Sequence, residues 1–136
     1  MARILVDTSA VFALLDRGDA NHAAARHTLE QLKGRRSEPL LTNFIVAESH
    51  ALVLSRLGVD IARRWLLGNM WTVERVGEDD ESKAMAIVGK YVDKTFSYTD
   101  ATSFAVMERL GLKTVFAFDP HFRQYGFQVA GISTPS

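Results

Sequence analysis

Cysteine is missing altogether from the 136 residues, which excludes disulfide staples and thiolate metal sites. Long apolar runs are missing too. None approaches the ~20 residues that a membrane-crossing helix needs. The first apolar run, Ile4-Leu5-Val6, meets the charge of Asp7 too early to serve as a secretory signal. A chain without leader or disulfides is expected in the cytoplasm. Net charge is also lacking, because 16 basic residues balance 16 acidic ones. That excludes a protein that holds a polyanion by bulk charge alone. The histidines form no metal motif: His22 and His27 are five apart and do not share a helix face. There is no HExxH and no glycine-rich phosphate loop.

What is present is a hydrophobic fraction of 47%, enough for one core in a chain of this length. Residues 1–136 are expected to form a single domain, since there is no repeat, low-complexity tract or linker. Arg3 to Val6 reads as a buried strand that ends at Asp7. Thr8-Ser9 offers cap oxygens to a helix over Ala10 to Leu15. Asp19 can cap a helix from Ala20 to about Lys33, with Gly34 as its C-cap and Pro39 closing the loop. Leu40-Leu41 is a short strand, and Thr42 or Asn43 caps a helix from Phe44 to Leu57 that stops at Gly58. A further helix is expected over Asp60 to Leu67, then a strand over Trp71 to Val76.

The acidic run Glu78 to Glu81 opens a helix to about Lys94, where four carboxylates complement the positive helix end. Thr95 to Asp100 is a polar and aromatic turn into a helix that ends at Leu110 with Gly111 as C-cap. A strand over Thr114 to Phe118 then ends at Asp119, Pro120 begins a turn, and Phe127 to Val129 is an edge strand. Alternating strands and helices predict a three-layer α/β/α sandwich around a mostly parallel sheet.

In such sheets ligands bind beyond the carboxyl ends of the strands. Asp7 and Asp119 end strands, and Asp100 lies at the start of a helix feeding the Asp119 strand, so all three gather at one edge. Glu48 sits on the helix face of Phe44, Ala47, Ala51, Leu52 and Ser55, and is expected to be partly buried. Each acid also has a plain structural reading: Asp7 as a helix cap, Asp100 as a first-turn acid, Asp119 as a turn residue and Glu48 as a partner of an arginine such as Arg56 or a residue of a wetter face. Four converging carboxylates repel one another, and a hard cation, Mg²⁺ or Mn²⁺, relieves that repulsion. Such an ion activates water and neutralises a transferring phosphoryl group. His121 reads as a turn residue and His50 as surface. Trp65 and Trp71 read as core or subunit contact, and the doublets Arg35-Arg36 and Arg63-Arg64 as solvated surface.

Four pieces carry a resemblance. They are Ile4-Leu5-Val6-Asp7-Thr8-Ser9-Ala10, then Glu48 in a helix after Thr42-Asn43, then Ser97-Tyr98-Thr99-Asp100-Ala101, then Phe118-Asp119-Pro120-His121-Phe122. With these, the chain resembles the PIN-domain nucleases, most closely the VapC toxins of toxin–antitoxin pairs, over almost its whole length. Arg56 to Glu81 matches least. The resemblance implies an acidic quartet of Asp7, Glu48, Asp100 and Asp119 binding Mg²⁺ or Mn²⁺. Thr8, Ser9, Thr99 and His121 would stand close behind it. It also implies an RNA substrate, a homodimer and a cognate antitoxin that covers the site. Two other functions stay open. One is a haloacid dehalogenase-type phosphatase with Asp7 as nucleophile, although Ser9 stands where that mechanism wants an acid. The other is a non-catalytic RNA-binding or scaffold domain.

Overall fold

Ile4, Leu5 and Val6 are consecutive apolar residues and all three are buried, so their strand needs cover on both faces. It becomes the centre of the sheet. The computed structural model describes residues 2–131, and among them it places five strands: β1 (Arg3–Val6), β2 (Glu38–Thr42), β3 (Thr72–Glu74), β4 (Thr114–Phe116) and β5 (Gln128–Ala130). The helices are α1 (Thr8–Leu15), α2 (His22–Gly34), α3 (Asn43–Leu57), α4 (Val59–Gly68), α5 (Glu78–Lys90), α6 (Tyr98–Leu110) and α7 (His121–Tyr125). All strand pairs are parallel, in the order β3-β2-β1-β4-β5. The expected three-layer α/β/α sandwich is the observed one.

The chain steps outward from β1 to β2 to β3, then crosses back to β4 on the other side. Right-handed crossovers therefore put α1 to α4 on one face and α5 to α7 on the other. Most packed pairs group the same way: α1 with α2 and α3, α3 with α4, α5 with α6, and α6 with α7, while α3 meets α6 across the two layers. The core between the layers is built from Leu5, Leu40, Ile45, Phe104, Met107, Phe116 and Phe122. In α6 every residue from Asp100 to Met107 is buried. A helix covered all round is held as rigidly as the sheet, and it carries one of the candidate acids. No described helix is long and apolar enough to cross a membrane.

Several boundaries differ from expectation. Asp7 itself, rather than Thr8 or Ser9, is the N-cap of α1. The second helix begins at His22, because Asp19 caps the turn at Asn21 instead, and its C-cap is Arg35. Pro39 lies inside β2. Glu38 donates its N–H toward the β1 side, so the Pro39 nitrogen faces β3, whose pairing starts only at Leu40. The third strand is only Thr72–Glu74, and α5 ends at Lys90, after which Tyr91 turns into the cluster of Phe96 and Tyr125. The last strand is shifted by one residue, to Gln128–Ala130.

The acidic run at the start of α5 does more than complement a dipole. Buried Asp80 accepts a bidentate pair from Arg109, at 3.0 Å to Nε and 3.0 Å to Nη2. Arg109 also donates to Glu74, at 3.0 Å, and to the Arg75 carbonyl, at 3.3 Å. The clamp ties β3, α5 and α6 together. Arg109→Met is expected to lower stability by about 2 kcal/mol, because it leaves a buried carboxylate alone. A shift in urea midpoint equivalent to less than about 0.5 kcal/mol would show an ordinary surface pair instead.

Candidate active site

The strand order reverses between β1 and β4, which makes the crevice beyond their carboxyl ends the topological switch point of the sheet. Asp7 follows β1 directly and its N–H donates to the Phe116 carbonyl of β4 at 2.9 Å. As N-cap of α1, Asp7 accepts from the Ser9 N–H at 3.1 Å and from the Ser9 hydroxyl at 2.7 Å, both on Oδ2. The Ser9 hydroxyl in turn accepts from the Phe118 N–H at 2.9 Å, so one serine braces the exits of both central strands.

Asp100 arrives from the other layer. Ser97 caps α6 and forms a reciprocal capping box with Asp100, whose Oδ2 accepts the Ser97 N–H at 3.1 Å. Asp119 lies three residues beyond β4, which ends at Phe116 and not at Phe118 as expected. Its Oδ1 accepts the His121 N–H at 2.7 Å. The His121 ring then lies between the two acids, with Nδ1 at 2.7 Å from Asp100 Oδ2 and 3.0 Å from Asp119 Oδ1. Phe96 supports that ring edge-on, and Thr95 meets its Nε2 at 3.2 Å. Asp100, Asp119 and His121 form a group whose ligand atoms all lie within 4.8 Å of one another. His121 is thus far more than a turn residue. Its two-residue spacing from Asp119 and the resemblance of that segment were the signals for it.

Glu48 is exposed, contrary to expectation. The buried stripe of α3 is Ile45, Ser49 and Val53, and the Phe44-Glu48-Leu52-Arg56 line is its neighbour on the helix surface. That line still faces the crevice. Phe44 packs edge-on against Tyr98 at the start of α6, at 5.8 Å between ring centres. Leu52 and Arg56 border a cleft that also contains Ser9 and Asp119. Glu48 lies between these two along the helix, but neither it nor Asp7 belongs to the group formed by Asp100, Asp119 and His121. Ser49, the next residue, donates to the Thr8 hydroxyl at 3.1 Å and pins this turn of α3 to α1. The Thr99 hydroxyl makes no hydrogen bond among the described residues, while its carbonyl accepts from Thr102.

The electrostatics are one-sided. Among the described residues no lysine or arginine pairs with Asp7, Glu48, Asp100 or Asp119. Burial pushes the Asp7 carboxyl from its ordinary 3.8 up to about 7. The two bonds from Ser9 oppose that rise, and the charges of Asp100 and Asp119 add to it. Each aspartate uses one oxygen to fix itself and keeps the other without a donor among the described residues: Oδ1 of Asp7, Oδ1 of Asp100 and Oδ2 of Asp119. Three anchored carboxylates with open oxygens, and no lysine or arginine paired with them among the described residues, fit a hard divalent cation.

The comparisons with known proteins agree with this geometry. The PIN domain family matches residues 4–128. The 23S rRNA-specific endonuclease VapC20 of Mycobacterium tuberculosis is 34% identical over 128 residues, covering 91% of this chain and 95% of that protein. Ribonuclease VapC26 of the same organism is 29% identical over 119 residues, covering 85% and 86%. The crystal structure of VapC20, described as a sarcin-ricin loop cleaving toxin, superposes with a TM-score of 0.80 at 32% identity, covering 91% of this chain and 95% of that one. A family match over nearly the whole chain, on a fold whose switch point gathers the expected aspartates, means that this protein belongs to the PIN-domain family and stands within it beside the VapC ribonucleases.

Proposed function

We propose that the chain is a Mg²⁺- or Mn²⁺-dependent endoribonuclease acting as the toxin of a toxin–antitoxin pair. The observation that carries the metal dependence is the set of three anchored aspartates, each with an open oxygen. Asp7, Asp100 and Asp119 would hold the ion, and Glu48, exposed on the adjoining line of α3, would ligate it or orient water. A bound divalent ion supplies charge neutralisation at the phosphoryl group and a water of lowered pKa. Thr8 and Ser9 keep the Asp7 turn in register, and His121 sets Asp100 and Asp119 side by side. Water displaces the 3′ oxygen in line, leaving a 5′ phosphate and a 3′ hydroxyl.

The dehalogenase-type alternative loses its general acid. Ser9 occupies that position, and its hydroxyl is engaged by Asp7 and Phe118. The relative named for 23S rRNA makes ribosomal RNA the first substrate to try, ahead of transfer and messenger RNA. Such a substrate places the activity in the cytoplasm. A protein partner is supported by an apolar groove of about 340 Å³ lined by Val11, Leu14, Leu15, Trp65, Met70 and Trp71. Met70 in its wall and Leu67, next in the chain to the lining residue Gly68, are exposed at 92% and 78%. Surface of this kind suits an antitoxin segment or a second copy of the chain.

Purified protein is expected to cut total cellular RNA at discrete positions in Mn²⁺ and to stop when a chelator is added. Replacing the nucleotide at the cut by its 2′-deoxy form should leave cleavage intact, because water and not the neighbouring hydroxyl attacks. A strict need for that hydroxyl, or cleavage that persists in chelator, would overturn the reading.

A further inference from the structure

Beside Asp119 a cleft of about 340 Å³ opens between α1, α3 and the turn after β4. Its walls include Phe12, Leu52, Phe118 and Arg56, and its floor reaches Ser9, the residue that braces Asp7. Two features of it are unexplained by the fold. Phe12 is half-buried, yet it stands outside the cluster of residues that make or pack against the core. It lines the cleft instead. Arg56 is the only lysine or arginine in the lining, and no carboxylate lies within ion-pair distance of it among the described residues. Two carboxylates share the lining: Asp19, which accepts the Asn21 N–H, and Asp119, which accepts the His121 N–H.

A free guanidinium, an aromatic face and an apolar wall make a site for a planar group that carries an anion. The carboxylates next door would repel an incoming phosphate, so a nearby arginine has a task that a metal ion at the acids does not perform: it draws and orients a second phosphate. The volume, at the low end for small-ligand clefts, suits one nucleotide and not a duplex. We propose that this cleft seats the RNA nucleotide next to the scissile phosphate, with Arg56 gripping its phosphate and Phe12 lying against its base. The proposal rests on the ribonuclease reading, since it names the neighbour of the cut.

The test compares wild type, Arg56→Ala, Arg56→Lys and Phe12→Leu in cleavage. It also measures binding of a fluorescent single-stranded oligoribonucleotide of mixed sequence, in an Asp7→Asn background that keeps the cleft. Arg56→Ala is expected to lower kcat/KM about 10- to 100-fold, the range of a hydrogen bond to a charged group. It should also reduce the slope of log binding constant against log salt by about 0.7, one phosphate contact on a single strand. Arg56→Lys should restore the slope and only part of kcat/KM, since the fork is lost. Phe12→Leu should weaken binding about 5- to 100-fold with the slope unchanged, as loss of base stacking does. Arg35→Ala, at the opposite edge of the sheet, should change neither. Active wild type with an unchanged slope and unchanged kcat/KM in Arg56→Ala would overturn the subsite and leave the nuclease standing. That outcome would leave Arg56 to a protein partner. An inactive wild type whose RNA binding still depends on Arg56 and Phe12 would do the reverse.

Discussion

Asp7→Asn is expected to make the metal-free protein more stable and the enzyme inactive. Both effects come from one carboxylate. Asp7 is only 4% exposed and sits beside Asp100 and Asp119, so the fold holds its proton up to about pH 7, whereas the unfolded chain releases it near 3.8. Below the lower value both states are protonated and the group does nothing to stability. Between the two values the native state binds more protons than the unfolded state, so stability falls as pH rises. Above about pH 7 the full penalty is present. A gap of this size corresponds to roughly 4 kcal/mol, and the weaker bonds from Ser9 to a neutral amide offset part of the gain, leaving about 2 kcal/mol. The variant should therefore melt higher than wild type at pH 8 in chelator, with the difference closing toward pH 4. Cleavage should fall by more than about 100-fold, because even outer-shell partners of a metal commonly cost 10- to 100-fold. A variant less stable than wild type at pH 8 would mean that the ionised Asp7 stabilises the fold through contacts other than those seen. A variant that still cuts would remove Asp7 from the site.

That prediction depends on a residue whose place was readable in the sequence, and Glu48 marks the limit of such reading. Asp7 and Asp100 were located by strand and helix ends, which local apolar runs and capping residues specify. The helix bearing Glu48 was found for the same reason, and of the two caps expected, Thr42 and Asn43, Thr42 is the N-cap. Its buried face was not. The stripe through Ile45, Ser49 and Val53 is the more apolar of the two, since Phe44 and Leu52 flank the charge of Glu48, and it is the one that the fold buries. The core accepts Ser49 because it is small and its hydroxyl reaches Thr8, a partner 41 positions away. The early end of β4 has a similar cause. Phe118 continues the run of strand formers, but its N–H goes to Ser9, 109 positions earlier, and not to a neighbouring strand. His121 completes the pattern: its meeting with Asp100, 21 positions back, follows from how α6 and α7 pack and leaves no local trace beyond its spacing from Asp119. Local physics locates the elements. Which polar side chains the core admits is decided by contacts between elements.

The raised pKa of Asp7 has a second consequence, for the ion itself. A carboxylate must be ionised to ligate a metal, so binding below about pH 7 has to displace a proton from Asp7. Apparent Mn²⁺ affinity is expected to weaken by up to about tenfold per pH unit from this group alone as pH falls below about 7, or about 50-fold between pH 7 and pH 5. Above about pH 8 this contribution levels off. Calorimetry in two buffers of different ionisation enthalpy should report close to one proton released per ion at about pH 6 and few at about pH 8. Asp7→Asn should remove that proton and flatten the profile while lowering affinity throughout. The ion also stabilises the fold most where the bare site is weakest. On the alkaline side, where ionised Asp7 lies beside Asp100 and Asp119, saturating Mn²⁺ should raise the melting temperature most. At about pH 5, where Asp7 keeps its proton, the same Mn²⁺ should raise it least. An affinity that does not change between pH 5 and pH 7 would show that the ion binds Asp100, Asp119 and Glu48 without Asp7. The buried carboxylate would then be a helix cap that the fold tolerates in its protonated form.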